Sequence, residues 1–219
     1  MPAERERTLV SQRLAAFVGV VFHAQSYLNL LYLFLAFAFG TAYFFAFTFA
    51  FTLGIALAVF LIGIPILFAA VIASRFVVTF ERILANALLD IDVSGGEPLH
   101  TADLWSTVVA YTTAESTWRG LGFLALKFWV GLLSGILVFV GLGITFALIT
   151  APFGGETVVL NYTIDSTVES LLAVPAGVVF GIAFLHVSNA AARLSAVIVV
   201  ALLADDATDE NVTPAVRAS

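Results

Sequence analysis

One long stretch without charged residues constrains this chain more than any other feature. No Asp, Glu, Lys or Arg occurs among the 61 residues between Arg13 and Arg75. Residues 128–155 and 170–192 also lack these four residue types. Because a helix needs about 20 apolar residues to cross a bilayer, the first stretch is long enough for two crossings and each of the others for one.

The composition supports a membrane protein. Hydrophobic residues make up 61% of the chain and charged residues only 11%, with a mean hydropathy of +1.07. Soluble domains are usually about half apolar and about a quarter charged. The apolar runs are continuous and do not alternate with polar residues, as the strands of a membrane barrel would. We therefore predict an all-α membrane protein with four transmembrane helices.

The apolar runs and their breaks place these helices along the chain. We expect Pro65 to kink the second span, and a short strand at 157–163 in an external loop. A surface helix over 101–116 should precede the third span, and amphipathic cytoplasmic helices should follow the second and fourth, over 80–92 and 189–204. The four predicted spans are about 27–49, 53–79, 121–150 and 171–187.

Three regions follow from these boundaries. Residues 1–24 form a cytoplasmic or interfacial segment, residues 25–205 the membrane domain, and residues 206–219 a disordered acidic tail. The membrane domain divides into two hairpins, at about 25–92 and 101–205. Arginines collect on one side of this topology, so the positive-inside rule places both termini in the cytoplasm and the protein in the cell (plasma) membrane.

A fifteen-residue pattern occurs twice in the chain, 91 positions apart. The two segments are 26–40 (SYLNLLYLFLAFAFG) and 117–131 (TWRGLGFLALKFWVG). The aligned identities are Leu30 with Leu121, Leu33 with Leu124, Phe37 with Phe128, and Gly40 with Gly131. The closing helices also end alike, in LLDID and LLADD. We predict two similar hairpins in a parallel repeat, related by a pseudo-twofold axis along the membrane normal. A chance match between two Leu/Phe-rich helices is the alternative.

Four residues near the start of the third span are candidates for ligand or lipid contact. Lys127 lies within a predicted span, where a charge is costly and often functional, although a lysine near a helix end can also extend to the interface. Trp118 and Arg119 are suited to an interfacial anchor on anionic headgroups. Trp105 lies on the predicted surface helix.

Three charged residues are candidates for coupling the helices to each other. Glu81 and Arg82 lie where the second predicted span ends, and Arg193 lies in the last helix. Glu81 could pair with Arg193 of the other half. The alternative is that Glu81 and Arg82 lie on a solvated helix face.

Several classes of function are disfavoured. The chain has no cysteine, and its three histidines have no carboxylates at metal-ligand spacing, so we expect no metal and no cofactor. Nucleophile–base pairs and nucleotide-binding motifs are also missing from the sequence, so we expect no enzyme. The net charge of −6 and the lack of a basic patch argue against nucleic-acid binding.

Local motifs over about residues 25–205 resemble a family of prokaryotic membrane-embedded sensor domains. These motifs are YLNLLYLFLAFAFG (27–40), GIP (63–65), ERILANALLDID (81–92), and Trp105 followed by TWRGLGFLALKF (117–128). Asp90 stands where that family usually has glycine. Such domains occur alone or before the kinase core of two-component histidine kinases.

The resemblance implies reception of a signal. We therefore predict a sensory or regulatory module that passes bilayer or ligand state to a separate partner. The expected partners are the lipid bilayer, a histidine kinase or a transcriptional regulator, and further copies of the chain. A small transporter or channel and a homo-oligomeric scaffold are the alternatives.

Overall fold

The computed structural model describes residues 17–93, 115–154 and 157–203. Its four long helices are α1 (Ala24–Leu57), α2 (Gly63–Leu89), α3 (Glu115–Gly154) and α4 (Thr167–Leu203). Short 3-10 turns, Val20–Phe22 and Ala58–Phe60, flank α1. Each of these helices is long and apolar enough to cross a membrane. The predicted all-α fold with four spanning helices is confirmed, and the chain is a multi-pass membrane protein.

The turn between α1 and α2 lies later than we predicted. Helix α1 continues to Leu57, past the expected break near residue 50, and the chain reverses at Leu61 in a left-handed conformation (φ 61°). Pro65 therefore lies in the first turn of α2, where its missing N–H has no helical acceptor to lose. The predicted kink at Pro65 inside a span is wrong. Gly63 allows this tight turn, because a Cβ there would overlap the Gly54 carbonyl.

The connection between α3 and α4 forms a small hairpin of two strands where we predicted one strand over 157–163. Strands β1 (Thr157–Val159) and β2 (Tyr162–Ile164) pair antiparallel, with Leu160 in a left-handed conformation (φ 56°) at the turn. The Tyr162 hydroxyl donates a hydrogen bond to Glu169 Oε1 at 2.9 Å, which ties the hairpin to α4.

The two helices within each hairpin, α1 with α2 and α3 with α4, are antiparallel. In the first hairpin, Gln25 Nε2 donates to the Leu88 carbonyl at one end, and Gly54 packs on Leu67 at the other. The second hairpin is made by α3 and α4. Helix α4 runs without interruption, so the predicted separate helix at 189–204 is its C-terminal part.

The two hairpins point in opposite directions. Phe44 of α1 stacks on Phe128 of α3, with ring centroids 4.1 Å apart, whereas the earlier Phe34 meets the later Phe139. Residue numbers thus rise along α1 as they fall along α3. The turn at Leu61 and the β-hairpin consequently lie at opposite ends of the bundle.

The predicted parallel repeat is therefore wrong, although repeated contacts are present. Gly40 lies against the backbone of Lys127, and Gly131 lies against the backbone of Ala36. The two contacts match, because Gly131 is 91 positions after Gly40 and Lys127 is 91 positions after Ala36. Such reciprocal contacts between antiparallel helices fit a twofold axis perpendicular to the helices, as in an inverted repeat. The internal repeat itself stays a prediction, which these contacts favour.

The buried faces of α2 and α4 match in the same way. Helix α2 has seven buried residues, and the residue 114 positions after each of them is a buried residue of α4. The pairs are Gly63 and Gly177, Ala70 and Phe184, Ser74 and Ser188, Val78 and Ala192, Glu81 and Ser195, Ala85 and Val199, and Leu89 and Leu203. A common helix-packing pattern therefore recurs in both hairpins.

Helices α1 and α4 run in the same direction, since Val20 packs beside Ile182 and Ser26 beside Asn189. Helix α1 accordingly begins beside the middle of α4. The two chain termini, whose cytoplasmic location was predicted, lie outside the described residues. So do residues 101–114 of the predicted surface helix 101–116, whose last two residues begin α3.

Candidate functional site between the two hairpins

A buried ion pair joins the two hairpins. Lys127 Nζ of α3 lies 2.7 Å from Glu81 Oε2 of α2, and the side chains are 3% and 0% exposed. The ammonium group also donates a hydrogen bond to the Tyr32 hydroxyl of α1 at 3.0 Å. It lies 4.6 Å from the centroid of the Tyr32 ring, within the range of a cation–π contact. Three helices thus supply one polar cluster.

The helices that hold this cluster are mainly apolar. A charge buried in such surroundings loses several kcal/mol of hydration, and only a close opposite charge and further hydrogen bonds offset that loss. Here the compensation is incomplete, because Glu81 Oε1 makes no hydrogen bond within the described structure. Tyr43 interacts electrostatically with Glu81 without satisfying this oxygen. The Glu81 carboxylate therefore has an ion-pair partner but does not make all the hydrogen bonds that it could accept.

Two sequence predictions about these residues need correction. Glu81 does not pair with Arg193 and does not lie on a solvated face, because its partner is Lys127 and its side chain is inaccessible. Lys127 does not extend to an interface. The apolar side of the predicted amphipathic helix 80–92 includes Phe80 and Ile83. It does not pack into the bundle, since these side chains are 42% and 63% exposed while Glu81 is buried. A helix inside a membrane bundle hides its charges and turns apolar side chains outward.

A second polar cluster lies nearer the N-terminus of α1 and connects α1 with α4. Asn29 Nδ2 donates to Asn189 Oδ1 at 2.9 Å, and Asn189 Nδ2 donates to Ser26 Oγ at 3.0 Å. Gln25 Nε2 donates both to Asn29 Oδ1 and to the Leu88 carbonyl of α2. The hydrogen bonds of this cluster also cross between the hairpins.

Comparison with known proteins places this arrangement in a family. The model of the family described as "Putative sensor" matches residues 32–203. The chain belongs to this sensor family. The match includes all three members of the ion-pair cluster. No curated protein and no solved structure matches the chain.

In this sensor-family protein the remaining predicted site residues lie apart from the ion pair. Arg119 Nη2 donates to the Ala201 carbonyl of α4 at 3.3 Å, so at least part of its guanidinium binds the neighbouring helix. Trp118 is 65% exposed, Arg82 is half-buried, and Arg193 is exposed on α4. Trp105 lies outside the described residues. Lipid contact by Trp118 and Arg119 stays a prediction.

Sequence reasoning did not single out Tyr32, Asn29 or Asn189. A signal was available, because amide side chains and hydroxyl groups within long apolar helices are rare and face the bundle interior. Within the described ranges, no three His, Cys, Asp or Glu side chains form a group that could hold a metal ion.

Proposed function

We propose that this protein is a membrane-embedded sensory module that passes bilayer or ligand state to a separate partner. Membership of the sensor family supports the general role. The observation that most supports the mechanism is the Glu81–Lys127 pair, because it joins the two hairpins through a buried carboxylate that is not fully hydrogen-bonded. A contact of this kind can hold one arrangement of the hairpins without making any other inaccessible.

In the mechanism that we propose, the two hairpins shift relative to each other when the signal arrives. The shift separates Glu81 from Lys127 and moves the C-terminal parts of α2 and α4. These parts lie in the segments predicted as amphipathic helices, 80–92 and 189–204. Because α2 and α4 point in opposite directions, a partner on one side of the membrane would read only the segment that ends on that side. The free energy lost with the ion pair is small enough to be replaced by hydration of its two charges.

Disulfide locking tests this mechanism. Because the chain has no cysteine, the introduced cysteines can form only the intended disulfide within one molecule. A Cβ at Gly120 would lie 3.1 Å from Val78 Cγ2, so the pair Val78→Cys and Gly120→Cys can join α2 to α3 across the hairpins. The matched control, Thr145→Cys with Gly181→Cys, joins α3 to α4 inside one hairpin, where the corresponding distance is 3.0 Å.

The partner is identified first, by in-membrane cross-linking of the tagged protein in its native host and mass spectrometry of the recovered proteins. We expect a histidine kinase or transcriptional regulator in stoichiometric yield. Its output should stop responding in the oxidised 78–120 variant and recover on reduction, while the 145–181 control responds throughout. An unchanged response in the locked variant would contradict the mechanism.

The same experiment separates the alternatives. Recovery of the protein only with itself, at defined multiples, would favour the homo-oligomeric scaffold. Solute flux in liposomes that is lost in Lys127→Ala would favour the transporter or channel.

A further inference from the structure

A polar cavity of about 570 Å³ lies between the N-terminal end of α1, the C-terminal end of α2 and the middle of α4. Its volume is within the range of small-molecule sites, which is about 300–1,000 Å³. Apolar side chains such as Val20 and Leu89 form part of its wall. The polar side chains that line it include Gln25, Asn29, Asp90, Asn189, Arg193 and two histidines, His23 and His186.

The amide side chains of this cavity are held in place before any ligand arrives. The hydrogen bonds from Asn29 to Asn189, and from Gln25 to the Leu88 carbonyl, fix one wall. The segment after α2 is fixed separately, because Asn86 both donates to the Val93 carbonyl and accepts from the Val93 N–H. A binding site whose polar groups are already oriented loses less entropy when it binds.

Two opposite charges line the cavity without binding each other. Asp90 and Arg193 both line it, yet within the described residues neither makes an ion pair or a side-chain hydrogen bond. Asp90 is also the C-cap of α2 and adopts a left-handed conformation (φ 53°), which glycine would adopt without strain. Backbone strain of this kind is concentrated at functional sites, and here it holds a carboxylate at the cavity wall.

The two histidines of the cavity are part of its frame. His23 Nδ1 lies 2.7 Å from the Gly19 carbonyl, and His186 Nε2 lies 2.9 Å from the Phe17 carbonyl. The His186 ring also stacks on Phe17 at a centroid distance of 4.7 Å. These contacts pack the segment before α1 against α4, which closes one side of the cavity.

We propose that this cavity binds a small zwitterion. The anionic group of the ligand, a carboxylate or phosphate, binds the Arg193 guanidinium, and its ammonium group binds the Asp90 carboxylate. The amides of Gln25, Asn29 and Asn189 supply further hydrogen bonds. Two sources have this chemistry: a free amino-acid-like solute and the headgroup of a zwitterionic phospholipid. The assignment rests on the proposed sensory function for its biological meaning, but the binding itself needs no partner.

Binding is tested with the full chain in nanodiscs of phosphatidylglycerol, which has no ammonium group. Calorimetric titration uses phosphoethanolamine and a panel of free amino acids. In the second arm, native mass spectrometry compares retention of phosphatidylethanolamine with retention of phosphatidylglycerol. Binding of the soluble probes assigns a free zwitterion, whereas retention of phosphatidylethanolamine alone assigns the lipid headgroup.

Charge-removing variants decide whether this cavity is the site. Asp90→Asn and Arg193→Gln should each weaken binding about tenfold or more, since each removes a charge-assisted hydrogen bond. Asparagine tolerates the left-handed conformation at position 90, and Arg193 is exposed, so both variants should fold. The matched control is Asp165→Asn, an exposed carboxylate outside the cavity, which should bind within about twofold of the wild type.

Two results would overturn the assignment: no binding of any probe to the wild type, or binding that Asp90→Asn and Arg193→Gln leave unchanged. The outcome is distinguishable from failure of the sensory function. Zwitterion binding without a kinase or regulator partner would keep the site and remove the sensory role. Capture of a kinase or regulator without any zwitterion binding would keep the sensory role and remove the site.

Discussion

Two sets of buried positions that match each other in the predicted repeat differ in their chemistry. One contact holds Tyr32, Glu81 and Lys127, joined by an ion pair and a hydrogen bond. The positions that match these three in the repeat pattern are Phe123, Ser195 and Ala36, which are 1%, 4% and 0% exposed. Equally buried positions are thus filled by charged side chains on one side and by apolar or small side chains on the other.

This difference shows that close packing at these positions does not depend on their polarity. Because the matching apolar positions are buried as completely as the charged ones, burial at such positions does not itself require an ion pair. Replacing a buried ion pair with well-packed apolar residues is often neutral or stabilising. The charges are therefore better explained by control over the position of the hairpins than by stability of the fold.

Removing one charge of the ion pair should cause the largest difference in stability. Lys127→Met leaves Glu81 buried without its cation, and we expect the free energy of unfolding to fall by about 3–5 kcal/mol. Reversible unfolding in mixed micelles, followed by tryptophan fluorescence, measures this loss. The matched control, Ser195→Ala at the position that matches Glu81, should lose at most about 1 kcal/mol, because within the described part of the chain its hydroxyl bonds only the Ala191 carbonyl of its own helix. Equal losses in the two variants would show that the contacts do not differ.

The two glycines of the hairpin contact test whether the packing is equivalent on both sides. Gly40→Ala and Gly131→Ala would each push a methyl group into the backbone of the opposite helix, and we expect each to lose about 1–3 kcal/mol of stability. Gly122 and Gly143 are the controls, since a Cβ at either has nothing within 4 Å. Their alanine variants should gain up to about 1 kcal/mol from helix propensity. A large loss at only one of the two contact glycines would argue against the inverted repeat.

A second pair of equivalent contacts predicts a smaller difference. Asn189 donates to Ser26 at 3.0 Å, and at the equivalent positions Arg75 Nη1 donates to Thr117 Oγ1 at 3.4 Å. Asn189→Ala should lose about 1–3 kcal/mol, because Asn29 and Ser26 both lose their partner. Thr117→Ala should lose less, since the bond is longer and Arg75 has other interactions. The same unfolding assay compares them, and a larger loss in Thr117→Ala would reverse the expected order.

The sequence predicts the number and type of helices well but not their direction. The stretches without charge, such as 14–74, mark spans because a bilayer excludes charged side chains wherever the fold places them. The match between 26–40 and 117–131 is different. A repeat along the sequence is equally compatible with a twofold axis along the helices or perpendicular to them, and only contacts such as that of Phe44 with Phe128 distinguish the two.

The candidate site was predictable only in part, for a related reason. Lys127 and Glu81 stood out as charges near apolar runs, but their pairing depends on the direction of α3 relative to α2. Periodicity placed Phe80 and Ile83 on the inner face because it assumes that water surrounds a helix. In a bundle surrounded by lipid the same pattern has the opposite meaning, so Glu81 lies inside and Ile83 outside.

The smallest expected change in stability is also the strictest test of the charged contact. The double variant Glu81→Met with Lys127→Met makes that contact apolar, like its counterpart, and should unfold within about 1 kcal/mol of the wild type or more stably. If the ion pair controls the position of the hairpins, this stable variant should nevertheless lose the response of its partner, as the 78–120 disulfide does. A stable double variant that still responds would reduce the pair to a tolerated feature of the core. A strongly destabilised one would show that the charged contact, unlike its counterpart, is needed to hold the fold.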